Sequence, residues 1–159
     1  MVKSMSASEA VVSDLVIRSI NAGDRAAWDP LWAGYLSFYE RVIPREITEL
    51  TWRRLTTNDG VFGFLAVQGD GEAVGLVHFV YHPTTWSAGG NCYLEDLFVV
   101  PAARGQRVGR RLIAAVADAS KARGVSVLYW QTEEFNGTAR RLYERVAKRS
   151  PFIRYQIEL

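Results

Sequence analysis

One segment of the 159-residue chain, residues 92–123, limits the possible folds more than any other. It begins with a mostly apolar run, Cys92 to Val100, whose length and composition fit a buried strand. A short loop rich in glycine and arginine follows, and Val108 to Arg123 then places its small and apolar side chains on one helical face. A strand that leads through a glycine loop into an amphipathic helix predicts a layered α/β protein.

The rest of the chain supplies strands and helices in a mixed order. Hydrophobic periodicity and turn residues predict strands at residues 15–20, 61–67, 72–81, 125–130 and 152–159, and helices at residues 25–42, 44–55 and 135–148. The mostly small and polar residues 1–13 predict a flexible N-terminal tail, and residues 14–159 predict a single domain.

Composition excludes several classes of protein. Hydrophobic residues make up 48% of the chain and charged residues 23%, which argues against disorder or coiled coil over the whole chain. No apolar run is long enough to span a bilayer, and the single cysteine, Cys92, excludes a disulfide framework and a zinc site built on several cysteines. We therefore expect a cytoplasmic protein that binds neither a membrane nor a metal.

Charge is divided unevenly along the chain. Residues 1–100 carry a net charge of −5 and residues 101–159 a net charge of +7, within a total of +2. This division is compatible with two ligands of opposite charge, and equally with helix surfaces that happen to be rich in arginine. Residues 100–112 bring two glycines and four arginines to a helix N-terminus, an arrangement that can bind phosphate groups.

Three blocks of sequence resemble the GNAT-type N-acetyltransferase superfamily. The segment Arg104-Gly105-x-x-Val108-Gly109 resembles its acetyl-CoA signature, R/Q-x-x-G-x-G/A, with Arg107 in place of the first signature glycine. Residues 93–99 are similar to the strand before that signature, and residues 130–143 to the later strand, loop and helix. Within the superfamily, the chain is most similar to the fungal histone/polyamine and D-amino-acid acetyltransferases.

The resemblance implies a GNAT-type fold, with a central mixed and mostly antiparallel sheet flanked by helices and two strands splayed apart at the acetyl-CoA site. It implies transfer of an acetyl group from acetyl-CoA to a primary amine by direct attack in a ternary complex. Relatives are often dimers, so a homodimer is expected. The residues expected to contact acetyl-CoA are Leu97, Phe98, Val99, Arg104, Gly105, Gln106, Arg107, Val108, Gly109, Arg110, Asn136 and Tyr143.

Two adjacent carboxylates and one tyrosine are the expected catalytic and substrate-binding groups. Neighbouring strand residues point to opposite faces, so Glu95 and Asp96 share a cleft only if a β-bulge intervenes. A carboxylate can remove the proton of an amine whose pKa is about 10. The resemblance assigns that role to Glu95, with Asp96 as a substrate or structural contact, and implies that Tyr143 hydrogen-bonds or protonates the departing thiolate. From composition alone, an exposed edge-strand pair and a half-buried helical tyrosine stay open as alternatives.

The acceptor is expected to be a small amine, such as a polyamine or an amino acid. A protein lysine and a non-catalytic CoA-binding module are the alternatives, whereas nucleic acid is not expected because the basic residues lack interleaved exposed aromatics. His78 and His82 lack the neighbours of a metal site and are expected in the core or a loop. The aromatic residues at positions 28–39 are expected to be mostly core, with one or two along an amine pocket.

Overall fold

The computed structural model describes residues 14–159, so the predicted flexible tail at residues 1–13 lies outside the described residues. The strands are β1 (Val16–Ser19), β2 (Phe62–Val67), β3 (Ala73–His82), β4 (Asn91–Val99) and β5 (Val127–Tyr129). The helices are α1 (Arg25–Phe38), α2 (Arg45–Thr57), α3 (Val108–Ala122) and α4 (Gly137–Val146). That residues 14–159 fold as one domain stays a prediction.

The five strands form one mixed sheet in the order β1-β2-β3-β4-β5. Neighbouring strands from β1 to β4 pair antiparallel, and β5 pairs parallel with β4. This parallel pairing ends where Tyr93 lies opposite Tyr129, although β4 continues to Val99. The two strands therefore diverge beyond Tyr93, which confirms the expected α/β fold class with its splayed strands.

The two faces of the sheet are covered by different helices. One core cluster joins α3 to the face of the sheet that carries Val77, Phe79 and Leu94, and Leu142 and Tyr143 of α4 pack against its edge. The second cluster joins α1 and α2 to the opposite face, through Trp28, Leu31, Trp32, Leu55, Leu65, Leu76 and Phe98. Burial of each large apolar side chain contributes roughly 1.5–3 kcal/mol, so the two clusters dominate the stability of the fold.

The predicted final strand at residues 152–159 is wrong, because this segment is not hydrogen-bonded into the sheet that the described residues form. Its alternating pattern is real, and Ile153, Tyr155 and Ile157 are 73%, 85% and 86% exposed. A strand needs a neighbouring strand as well as an alternating pattern, and no such neighbour lies beside this segment within residues 14–159. A hydrogen bond of 2.6 Å from Arg154 Nη1 to Gln131 Oε1 ties the segment to the chain beyond β5.

Helix ends also differ from the prediction at one point that matters for the site. Helix α1 ends at Phe38 rather than at residue 42, because the backbone turns left-handed at Glu40 with φ of 51°. This turn leaves Tyr39 at the end of the helix, beside the splayed part of β4. Among residues 14–159, no helix is both long and apolar enough to cross a bilayer.

Candidate active site

A β-bulge in β4 brings both candidate carboxylates to the same face of the sheet. His78 pairs with Asp96, but Phe79 pairs with Leu94, so Glu95 is the additional residue on β4. Leu94 and Leu97 both pack into the core cluster beneath α3. In a regular strand, two residues three positions apart would point to opposite faces of the sheet. The bulge between them therefore turns Glu95 and Asp96 together toward α1, which is the exception that the sequence left open.

Asp96 is held from two sides. Its Oδ2 lies 3.0 Å from Nδ1 of His78, whose side chain is 2% exposed against 14% for Asp96. On the α1 side, burial raises the pKa of Tyr35, and the charge of Asp96 and a hydrogen bond to it raise it further. The Tyr35 hydroxyl therefore stays protonated and can donate to the carboxylate. Beyond Tyr93, β4 has no β5 partner, so Glu95 and Asp96 lie where that side of the strand is open; Glu95 is exposed there, whereas Asp96 is mostly covered.

Glu95 lies in an environment that favours its neutral form. Partial burial raises the pKa of Glu95, and the negative charge of Asp96 raises it further. A carboxylate with a raised pKa is a better proton acceptor near neutral pH than an ordinary surface carboxylate. The position predicted for the general base therefore has suitable electrostatics.

A third carboxylate, which the sequence did not single out, belongs to the same neighbourhood. Burial raises the pKa of Tyr39, followed by the negative charges of Glu133 and Asp96, whereas a hydrogen bond with Asn136 lowers it. The Tyr39 side chain is thus close to the carboxylates of Glu133 and Asp96 and to the side chain of Asn136. Glu133 follows β5 in an irregular loop, where periodicity carries no signal that could have identified it.

A cleft of about 580 Å³ opens where β4 and β5 diverge. Its volume lies within the ordinary range of ligand pockets, about 300–1,000 Å³. Every residue predicted to contact acetyl-CoA lines it except Gln106, whose side chain instead donates to the carbonyl oxygen of Ala102 at 3.1 Å. Glu95 and Asp96 lie outside this lining. The additional lining residues are Phe38, Tyr39, Ala103, Thr138, Ala139, Arg141, Leu142 and Arg145.

The N-terminus of α3 faces this cleft. No side chain caps the helix, so the N–H groups of Val108, Gly109 and Arg110 have no acceptor within the helix. Arg107 precedes them with φ of 63° and ψ of 11°, a left-handed conformation that glycine adopts more easily. Holding a non-glycine residue there costs roughly 1–2 kcal/mol. The arginine at the signature position thus keeps a glycine-like backbone.

The charge of the cleft suits a ligand that carries several phosphates. Five arginines line it, and no carboxylate does among the described residues; the arginines are Arg104, Arg107, Arg110, Arg141 and Arg145. Arg141 and Arg145 were missed, although their spacing of four residues places them on one face of α4. Arg104 lies apart from the N-terminus of α3, since its Nε donates to the carbonyl oxygen of Val99 at 3.1 Å and its guanidinium covers the ring of Phe38.

Asn136 and Tyr143 lie on the wall of the cleft that α4 forms. The Asn136 side chain caps α4 by accepting a hydrogen bond of 3.2 Å from the N–H of Ala139, so it has a structural role whatever it binds. Burial raises the pKa of Tyr143 to about 12, and Tyr39 adds to the shift. The Tyr143 hydroxyl is therefore protonated at every physiological pH and can act as a hydrogen-bond donor.

The cysteine and the two histidines are the remaining reactive side chains that the sequence analysis named. Cys92 is fully buried, and burial raises the pKa of its thiol, so it is poorly suited to be a nucleophile. Within residues 14–159, no group of three or more potential ligand side chains is placed to hold a metal ion. His78 is buried as expected, whereas His82 contacts the hydroxyl of Tyr129 at 2.9 Å.

Known proteins are similar to this chain in sequence and in fold. The model of the acetyltransferase (GNAT) family matches residues 28–147. The D-amino-acid N-acetyltransferase of Saccharomyces cerevisiae is 33% identical over 151 residues, which cover 93% of this chain and 94% of the yeast protein. The thialysine N-epsilon-acetyltransferase of Mus musculus is 39% identical over 70 residues, which cover 44% of this chain and 39% of the mouse protein.

The solved structure of a ribosomal-protein-alanine N-acetyltransferase from Brucella melitensis biovar Abortus 2308 superposes with a TM-score of 0.77 at 23% identity. The superposition covers 91% of this chain and 99% of that one, which shows a common fold. Members of the matched family use acetyl-CoA as the acetyl donor. Since the family model and the yeast enzyme both match most of its length, this chain belongs to the GNAT acetyltransferase family and is an N-acetyltransferase.

Proposed function

We propose that the protein transfers the acetyl group of acetyl-CoA to a primary amine of a small molecule, such as a polyamine or an amino acid, in a ternary complex. One observation carries the proposal: a cleft lined by arginines reaches Tyr39, whose pKa responds to the carboxylates of Glu133 and Asp96. A polyanionic donor and a cationic acceptor would therefore meet at the divergence of β4 and β5.

The arginine-lined cleft would hold the donor. The N–H groups at the start of α3 and the side chains of Arg107 and Arg110 are suited to the phosphates of CoA. The backbone of Leu97 to Val99 lacks a parallel partner strand and is available to a ligand with amide groups. Acetyl-CoA, when bound, supplies the thioester carbonyl that the amine attacks.

The acidic side would hold and activate the acceptor. Asp96 and Glu133 would attract the ammonium group, and Glu95 would take its proton, directly or through water. Because the pKa of Glu95 is raised, the difference between its pKa and that of the amine, about 10, is smaller. Removal of that proton leaves the nitrogen lone pair free for attack.

Tyr143 would stabilise the departing thiolate by a hydrogen bond rather than by giving up its proton completely. Its pKa of about 12 lies above that of an ordinary thiol, about 8.5, so complete transfer would be uphill by about 5 kcal/mol. A donor held in place by packing avoids this cost and still stabilises the developing charge.

The named relatives support a small amine as the acceptor, since the yeast enzyme acts on D-amino acids and the mouse enzyme on thialysine. A protein lysine and a CoA-binding module without catalysis are the alternatives. We also propose that the protein is a homodimer located in the cytoplasm.

The proposal is tested by CoA release with single acceptors: 1,4-diaminobutane, spermidine, D-lysine, L-lysine and a histone-tail peptide. Mass spectrometry of the product identifies the acetylated nitrogen, and Tyr143→Phe serves as the catalytic control. Acetylation of at least one small amine supports the proposal. Acetylation of the peptide alone would favour a protein substrate, and tight acetyl-CoA binding with no product at all would favour a binding module.

A further inference from the structure

A buried histidine lies directly behind the proposed amine site. His78 on β3 is 1% exposed, and it is flanked on the α1 side by the rings of Trp28 and Trp32, whose centroids lie 6.0 Å and 5.4 Å from its own. Both of its ring nitrogens have partners, namely Asp96 Oδ2 at Nδ1 and Trp28 Nε1 at Nε2, each at 3.0 Å. None of the roles assigned above uses this residue.

The two partners determine where the proton of His78 lies. An indole nitrogen can only donate, so Nε2 of His78 must accept from Trp28 and cannot carry a hydrogen. The remaining proton is therefore on Nδ1, which donates it to the carboxylate of Asp96. Trp28 is fully buried in the core cluster of α1, so this hydrogen bond comes from a rigid part of the fold.

A neutral donor has a specific consequence for Asp96. It fixes one carboxylate oxygen without adding a positive charge beside it, so the negative charge of Asp96 stays available to a cation. A lysine or arginine at position 78 would also hold Asp96 but would neutralise it. A leucine there would fill the apolar space but would leave Asp96 without this donor and the buried Trp28 indole without an acceptor.

Building on the proposed function, we propose that His78 is a positioning residue: the Trp28 indole fixes its tautomer, and its Nδ1–H orients the carboxylate of Asp96 toward the ammonium group of the amine substrate. Asp96 makes the contact with the substrate, and His78 acts through Asp96. The proposal concerns binding of the amine and leaves the acetyl-CoA cleft unaffected.

A matched pair of substitutions separates this role from packing. Asparagine and leucine have nearly the same shape, and an asparagine amide nitrogen occupies the position of Nδ1, so His78→Asn keeps the donor to Asp96 and His78→Leu removes it. Both substitutions remove the acceptor for Trp28 and affect folding through that loss alike. Thermal unfolding and KM for acetyl-CoA measure any general damage.

We expect His78→Leu to raise KM for 1,4-diaminobutane roughly 10- to 100-fold, while His78→Asn stays within about threefold of the wild type and KM for acetyl-CoA hardly changes. In an Asp96→Asn background, His78→Leu should add almost nothing, because the carboxylate through which it acts is gone. Equal losses in the asparagine and leucine variants, or an undiminished loss in the Asp96→Asn background, would overturn the proposal.

Two measurements judge the proposal independently of turnover. Nitrogen-15 NMR of labelled histidine, with His82→Asn to assign the signals, should show the neutral Nδ1–H tautomer for His78. Calorimetry of 1,4-diaminobutane with the protein saturated with CoA should show the same order of affinities as the KM values. An Nε2–H tautomer or an imidazolium at His78, equal affinities of wild type and His78→Leu, or no binding by the wild type overturns it. Binding in this order without acetylation would instead refute the proposed function alone.

Discussion

The ring of Tyr143 lies edge-on to the ring of Trp130, with centroids 5.4 Å apart and an interplanar angle of 65°. Trp130 comes directly after β5 and Tyr143 lies on α4, so this contact fixes the tyrosine against the strand that diverges from β4. The phenol oxygen depends on this packing for its position, since both residues are partly buried against the core cluster beneath α3.

Tyr143→Phe keeps the ring against Trp130 and removes only the hydroxyl. We expect kcat to fall roughly 100-fold, as for the loss of one fixed donor to a developing charge, with little change in KM for acetyl-CoA. Steady-state kinetics measure both. Because the pKa of Tyr143 is about 12, its titration should not shape the rate below about pH 10. An unchanged kcat would remove Tyr143 from the chemistry.

Glu95 should govern the acid side of the pH profile. The protonated carboxyl cannot accept a proton, so kcat/KM should decrease as the pH falls through the raised pKa of Glu95. Glu95→Gln should lower kcat roughly 100- to 1,000-fold and abolish this acid limb. Glu134→Gln, which alters an exposed carboxylate nearby, is the control. If Glu95→Gln leaves rate and profile intact, another group is the base.

Two substitutions at Arg107 test the effect of its charge and the effect of its backbone conformation separately. Both Arg107→Gly and Arg107→Ala remove the guanidinium, so each should weaken binding of CoA about fivefold by calorimetry. Only glycine relieves the strain of the left-handed backbone at this position. The free energy of unfolding of the glycine variant should therefore exceed that of the alanine variant by about 0.5–1 kcal/mol. A glycine variant no more stable than the alanine variant would contradict this prediction, because the relief of strain would then not exceed the entropic cost of glycine in the unfolded chain.

The arginines of α4 should bind the donor electrostatically. Arg141→Ala with Arg145→Ala should raise KM for acetyl-CoA roughly tenfold and make it less sensitive to added salt, because both line the cleft. Arg140→Ala is the matched control, since Arg140 lies outside the lining and pairs with Glu144 on the same helix. An equal effect of all three substitutions would point to general charge on α4 rather than to contact in the cleft.

The exposed segment at residues 152–159 should contribute to self-association. Its apolar residues Ile153, Tyr155 and Ile157 alternate with polar ones and are uncovered among residues 14–159, so a second copy of the chain is the surface we expect them to meet. Light scattering after size exclusion should give about twice the chain mass, 17.8 kDa. Replacing these three residues by serine should give monomers, and an unchanged dimer would exclude the segment as the contact.

The sequence was sufficient where local pattern decides the structure. The strand, loop and helix over residues 92–123 could be predicted from apolar spacing and glycines. Arg104, Arg107 and Arg110 line the cleft, whereas Arg111 donates to the carbonyl oxygen of Leu15 instead. The β-bulge at Glu95 could not be predicted from the sequence, because it exists only through the pairing of β4 with β3. The contact of Trp28 with His78 joins residues 50 positions apart, which no local periodicity reports.

The central claim is that acetyl-CoA and a small cationic amine bind together and that the acetyl group passes directly between them. Initial velocities over a grid of acetyl-CoA and 1,4-diaminobutane concentrations test it most directly, with the product identified by mass spectrometry. The account predicts intersecting double-reciprocal lines, N-acetyl-1,4-diaminobutane as the product and no acetylated protein when the amine is omitted. Parallel lines with an acetylated protein, or no acetylated amine, would contradict it.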